Sequence, residues 1–167
     1  MAIVRKDITQ ASYHGGLESV KVFDKAGTNK VQVTNGVFVH LQGLLEGREL
    51  RKAVLGDKAT ATQEVLFIHN PEVMYDERKY KLKDYVIPAD KVARAYRLYR
   101  GDILTLTTDL FVGTVAVGDK LVVHTNGLLG KDSTALTTAR VVFEVIENSG
   151  YELDPEMGAF AVQVISI

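Results

Sequence analysis

Eight runs of four to nine residues alternate apolar and polar side chains: "SVKVFD" (19–24), "KVQV" (30–33), "VFVHL" (37–41), "EVLFIH" (64–69), "ILTL" (103–106), "KLVVH" (120–124), "ARVVFEVIE" (139–147) and "AFAVQVISI" (159–167). A period of two puts alternate side chains on opposite faces of a strand, and these runs are rich in Val, Ile, Phe and Thr, which suit a pleated, half-buried surface. Gly, Asn and Asp separate them, so each run ends where the chain can turn. Helical spacing is best in "GLLEGRELRKAVL" (43–55), but Gly43 and Gly47 limit it to one or two turns, with an irregular crossover as the equal alternative. The expected fold is therefore mainly β, a compact antiparallel β-barrel or sandwich with little helix.

A chain of 167 residues fits one domain with a substantial core. Residues 1–16 stand apart: they lack sustained alternation and end in Gly15-Gly16. They are expected to form an extended N-terminal arm, with 17–167 as a single β domain. Such an arm is either a frayed terminus or an extension that adds to a partner's sheet edge through Ile3, Val4 and Ile8. Asn35-Gly36 is a strong hairpin signal, because both residues tolerate positive φ in a type I′ turn, so the flanking strands are expected to pair. The last nine residues are apolar to the end and are expected to be locked into the sheet.

Composition narrows the function classes. Apolar residues at 46% and charged residues at 25% are ordinary for a globular chain, which argues against global disorder. The absence of cysteine removes disulfides, thiolate nucleophiles and Cys-ligated metals. The first ten residues hold no apolar run of leader length, and no stretch nears the roughly 20 apolar residues that span a bilayer, so no membrane partner is expected. Net charge is −1, which gives no general attraction to nucleic acid.

Catalytic patterns mostly fail. "TNGLLGKDS" (125–133) resembles a phosphate-binding loop, but Thr125 replaces its first Gly, and Asp132 stands where a Ser or Thr would bind magnesium. His14, His40, His69 and His124 show no metal-site spacing, and Asp76, Glu77, Asp154 and Glu156 read as turn carboxylates. Arg100-Gly101-Asp102 could be an adhesive triplet. It is echoed by Gly118-Asp119, which also stands directly before an alternating strand, so the triplet reads as a turn. No enzyme, cofactor or metal is expected.

Charge is uneven along the chain. "RKYKLKDYVIPADKVARAYRLYR" (78–100) holds eight Lys or Arg against Asp84 and Asp90, a surplus of +6 that leaves −7 for the rest. Tyr80, Tyr85, Tyr96 and Tyr99 interleave with the basic residues, which admits three readings. It is a solvated edge strand, a protein-binding stripe using Arg94, Tyr96, Arg97 and Tyr99, or a nucleic-acid surface that stacks bases. The low net charge ranks nucleic acid last.

"LQGLLEGRELRKAV" (41–54), "NPEVMYDERK" (70–79), "ARAYRLYRGDIL" (93–104) and "VAVGDKLVV" (115–123) resemble, in order, blocks of the small structural proteins encoded beside the major capsid protein in tailed bacteriophages. The similarity spans about 30–165. It implies a mainly-β module that is made in the host cytoplasm, binds the major capsid protein, sits on the capsid exterior of the virion as a monomer or a homo-oligomer, and reinforces the shell. It carries no catalytic residues. The capsid-facing residues expected on composition are Ile3, Val4, Arg5 and Ile8 of the arm and Arg94, Tyr96, Arg97 and Tyr99 of the stripe, with 43–58 and 126–138 next in line. The alternatives are a nucleic-acid-binding β-barrel using 78–100 and a small barrel enzyme with a site assembled from distant residues.

Overall fold

The computed structural model describes residues 2–8, 16–73 and 81–167. In chain order the strands are β1 (Val4–Ile8), β2 (Leu17–Phe23), β3 (Phe38–Glu46), β4 (Leu50–Leu55), β5 (Leu66–Ile68), β6 (Ala93–Arg97), β7 (Ile103–Thr107), β8 (Phe111–Val112), β9 (Lys120–Val123), β10 (Leu129–Gly130), β11 (Val142–Asp154) and β12 (Met157–Ser166). The chain is mainly β, as the alternation requires. Strands β2-β4-β3-β5-β6 close into a barrel, and the others form a seven-stranded sheet in the order β1-β7-β12-β11-β9-β10-β8. Pairing is antiparallel except at β2/β4 and β8/β10, which are parallel.

One core serves both parts. Phe38 of the barrel meets Phe143 of the sheet edge-on, with ring centroids 5.1 Å apart, inside a cluster that also holds Val4, Phe67, Leu104, Leu121 and Val162. Aromatic pairs prefer this geometry, in which the positive ring edge meets the negative face. Two glycines allow the close approach. A Cβ on Gly56 would lie 2.4 Å from a Val123 methyl, and one on Gly127, at φ +73°, would lie 2.4 Å from the Phe38 carbonyl oxygen. The backbone crosses there directly: Gly56 N–H donates to Phe38 O (2.9 Å) and Gly127 N–H to Gly56 O (2.7 Å).

Four expectations change. The segment 43–55 is neither helix nor crossover but the β3/β4 hairpin, turning at Gly47 with φ +59°. Its Leu, Val and Arg residues satisfy a strand once a partner strand lies alongside, and tertiary pairing overrides weak helical spacing. The turn at Asn35-Gly36 forms, but its flanks do not pair with each other: Val33 bridges Ile87, while β3 pairs with β4 and β5. Only Gly36 has positive φ (+89°), as in a type II turn. The buried Asn35 amide explains the redirection, since its Nδ2 donates to Asn70 O (2.9 Å) and its Oδ1 accepts from Asn70 N–H (2.8 Å). Strand β6 is not an edge, because it pairs with both β2 and β5, and closing the barrel removes its edges.

The fourth is the arm. Residues 4–8 add to the edge of this chain's own sheet, Val4 opposite Leu106 and Ile8 opposite Ile103. Thr107 fixes the entry: Ile3 N–H donates to Thr107 Oγ1 (3.1 Å), whose hydroxyl reaches Asp109 Oδ1 (2.6 Å). By contrast, β12 runs between β7 and β11, so the apolar C-terminal run lies inside the sheet as expected.

Candidate docking surface

The residues nominated from composition do not come together. Ile3 and Val4 are buried, and Val4 packs where a side chain on Gly36 would stand, so both are corrected from outward anchors to core residues. Arg5 stays on the surface, paired with Glu152 at 3.2 Å. The backbone of Ile8 belongs to β1. Tyr96 is also corrected to the core: it stacks on Phe67 with centroids 5.2 Å apart. Arg97 is half-buried and donates to Glu18 (2.8 Å) and to Glu64, so its guanidinium ties β6 to β2 and to the segment before β5. Tyr99 is half-buried against the core, and Arg94 is exposed.

Two more lysines and a tyrosine of the basic segment are engaged, while Lys91 and Arg100 are exposed. Lys81 and Lys83 both reach Glu156 at the β11/β12 turn and hold its carboxyl at about 2, with Lys83 the larger influence. Tyr85 packs against the core, and Tyr80 lies outside the described residues. A surface that stacked bases would need those rings free.

The Gly-Asp turns have one geometry. Asp102 is 1% exposed; its Oδ2 accepts Tyr99 N–H (2.9 Å) and its own N–H donates to Tyr99 O (3.0 Å), with Gly101 at φ +96°. Asp119 repeats this on Ala116, at 2.7 and 3.1 Å, with Gly118 at φ +90°. The Ala116 N–H and then Lys131 hold the Asp119 carboxyl below its ordinary value. A buried aspartate committed to its own turn cannot reach a receptor. Asp132, which breaks the phosphate-loop pattern, caps the one α-helix among the described residues, α1 (Ser133–Thr138), accepting from Thr134 N–H and Ala135 N–H. Among the described residues no group of three His, Asp or Glu could hold a metal ion, and no helix is long and apolar enough to cross a membrane.

The end of the β3/β4 hairpin, inside the second-choice segment 43–58, is where exposed apolar side chains do come together. From Gln42 to Glu49 every residue is exposed, including Leu44 (54%) and Leu45 (38%). Successive strand residues face opposite sides, so both faces of this hairpin end carry partly exposed side chains. Register shifts between Leu41 and Leu44 and between Leu44 and Glu46 interrupt the β3/β4 ladder here, while Leu50 and Arg51 of β4 remain paired with Ser19 and Val20 of β2. Lys21 leans toward Glu46 at 3.5 Å at its base. The signal was present in the sequence as "EGRE", a turn between two strand-compatible runs, but the weak helical spacing masked it. Compared with protein families, with curated proteins and with solved structures, the chain matches none.

Proposed function

We propose that this chain is a non-enzymatic structural protein of a tailed-phage virion that binds the outer surface of the capsid shell and stabilises it, docking through the end of the β3/β4 hairpin. The observation that carries the reading is the bare ribbon with Leu44 and Leu45 on its two sides. Scattered single apolar residues on a surface need no explanation, but two adjacent leucines exposed on opposite faces of one hairpin end offer apolar surface to a partner. The ribbon falls inside 41–54, one of the blocks whose resemblance points to capsid proteins. Burying a leucine contributes about 1.5–3 kcal/mol, and a lattice presents the same groove many times. Arg5 and Arg94 remain surface positions able to steer the approach.

The test mixes the purified chain with undecorated heads assembled from a tailed-phage major capsid protein and sediments the mixture. The chain should travel with the heads, and the Leu44→Ser/Leu45→Ser double variant should stay in the supernatant. A chain that ignores heads but binds DNA with steeply salt-dependent affinity would replace this reading with the nucleic-acid one.

A further inference from the structure

We propose that the junction between barrel and sheet is acid-labile, with His40 of β3 as the group whose protonation opens it; this goes beyond the docking reading and does not depend on it. Among the described residues, two buried side-chain nitrogens have no hydrogen-bond partner, His40 Nε2 and His124 Nδ1. Both imidazoles border the corner at Gly56 and Asp57. Nε2 of His40 lies 3.5 Å from where a Cβ on Gly56 would sit, and Gly56 is the residue that packs on Val123 and exchanges backbone bonds with Phe38 and Gly127. His124 follows Val123 and lies over Gly130, 3.1 Å from where its Cβ would sit.

His40 is 3% exposed, and its Nδ1 faces Glu64 O at 2.9 Å. A carbonyl only accepts, so Nδ1 carries the proton and Nε2 is left as a bare acceptor. Adding a proton there creates an imidazolium beside Gly56 with no acceptor for the new N–H. Among the described residues, the surrounding elements offer it no counter-charge. On β3, Glu46 is at the far end beside Lys21; on β4, Val54 stands opposite, and Arg51 and Lys52 are cations. Before β5, the Glu64 carboxylate is taken by Arg97, which also holds Glu18. After β4, the Asp57 carboxylate is taken by Ala59 N–H and Lys25. On the sheet side stands His124. The influences on the His40 ring are accordingly its burial, which lowers its pKa from 6.5, and the Glu64 carbonyl, which opposes this more weakly.

The sign follows by linkage. A base whose folded value lies below its unfolded value leaves the unfolded chain holding more protons between the two. Stability is therefore full above about 6.5 and falls as pH drops toward the folded value. The carboxylates held low, Asp57, Asp119 and Asp132 among them, act in a separate, more acidic window.

The test measures denaturant unfolding of the full chain from pH 7.5 to 5. The unfolding constant should rise below pH 6.5 by up to about tenfold per pH unit. His40→Asn, which retains a donor for Glu64 O and does not titrate, should be flat across that window. Two measurements on the unaltered protein keep the proposal open to refutation if that variant fails to fold. The His40 ring should keep its Nδ1–H form by NMR below pH 6, and amide exchange at Gly56 and Gly127, corrected for intrinsic rate, should accelerate on acidification before that of Leu104 and Thr105 in β7. A flat profile for the unaltered chain, an unchanged slope in His40→Asn, a ring that titrates at its ordinary value, or exchange rising equally in β7 would each overturn it.

Discussion

The N-terminal strand and the end of the β3/β4 hairpin are built from similar material, short runs of aliphatic residues beside charged ones, and they meet opposite fates. Ile3 and Val4 are buried against β7 and the turn at Gly36, whereas Leu44 and Leu45 stay 54% and 38% exposed at the end of the β3/β4 hairpin. A strand adds to whichever edge is open, and β7 of this same chain offers one. At the hairpin end, β4 pairs with β2 through Leu50 and Ser19, but among the described residues the Leu44–Glu46 stretch of β3 has no strand on its other side. An apolar side chain is thus a docking residue only where the chain's own topology leaves it over, and topology is a long-range property.

The sharpest way to break that comparison is to remove residues 2–8. If β1 is part of the core, the loss exposes β7, Thr107 and the Gly36 turn, and removes the burial of Ala2, Ile3 and Val4. At about 1.5–3 kcal/mol for each larger side chain, the total is about 5 kcal/mol, comparable with the whole stability of many domains. Denaturant unfolding should show a chain largely unfolded at 37 °C, and Val4→Asp alone should cost about 3 kcal/mol or more. A truncated chain as stable as the full one would return the arm to the status of a free extension.

Much of this was legible in the sequence, for reasons that two Asn-Gly pairs make plain. The alternating runs lie in or overlap the observed strands and bridges because period two is a local property that burial on one face enforces. The type I′ conformation expected at Asn35-Gly36 occurs instead at Asn126-Gly127, with φ of +55° and +73°, where β9 and β10 pair across it. Both pairs can adopt it. What decides is whether a strand is free to return, and at Asn35 the contact with Asn70, 35 residues on, sends the chain elsewhere. The nominated surface was illegible for the same reason: Arg97 looks like a rim arginine until Glu18 and Glu64, 79 and 33 residues away, arrive beside it.

Asp102 gives the next effect in size. Its carboxylate is buried on Tyr99 N–H, so Asp102→Ala leaves that donor unpaired and should lower stability by about 1–3 kcal/mol. Asp119→Ala, at the exposed copy of the same turn, should cost less, because water can replace the lost acceptor. Equal losses would mean that burial does not distinguish the two turns.

Glu156 sharpens the account of the basic segment. Its carboxyl is held at about 2 in the folded chain against 4.5 when free, so its pairing with Lys83 and Lys81 stabilises above about pH 4.5 and is lost as pH falls toward 2. In a series of thermal melts between pH 5 and 2.5, Glu156→Gln should lose Tm less steeply than the unaltered chain. Parallel curves would show that the lysines are free in solution and available to an acidic partner.

A small effect on stability is expected where the effect on docking is largest. Leu44 and Leu45 are 54% and 38% exposed at the hairpin end, so replacing both with Ser removes only part of a buried side chain at each position, and stability should fall by no more than about 1–2 kcal/mol. Serine retains adequate strand geometry, and the pairing of Leu44 with Arg51 is through the backbone. The same variant should lose head binding, because two desolvated leucines are the anchors offered and their loss would mostly speed dissociation. The two readouts must therefore part company: an intact melt with lost decoration sustains the contrast between absorbed and projecting strands. If the variant unfolds as readily as one lacking β1, Leu44 and Leu45 belong to the core, and the contrast disappears.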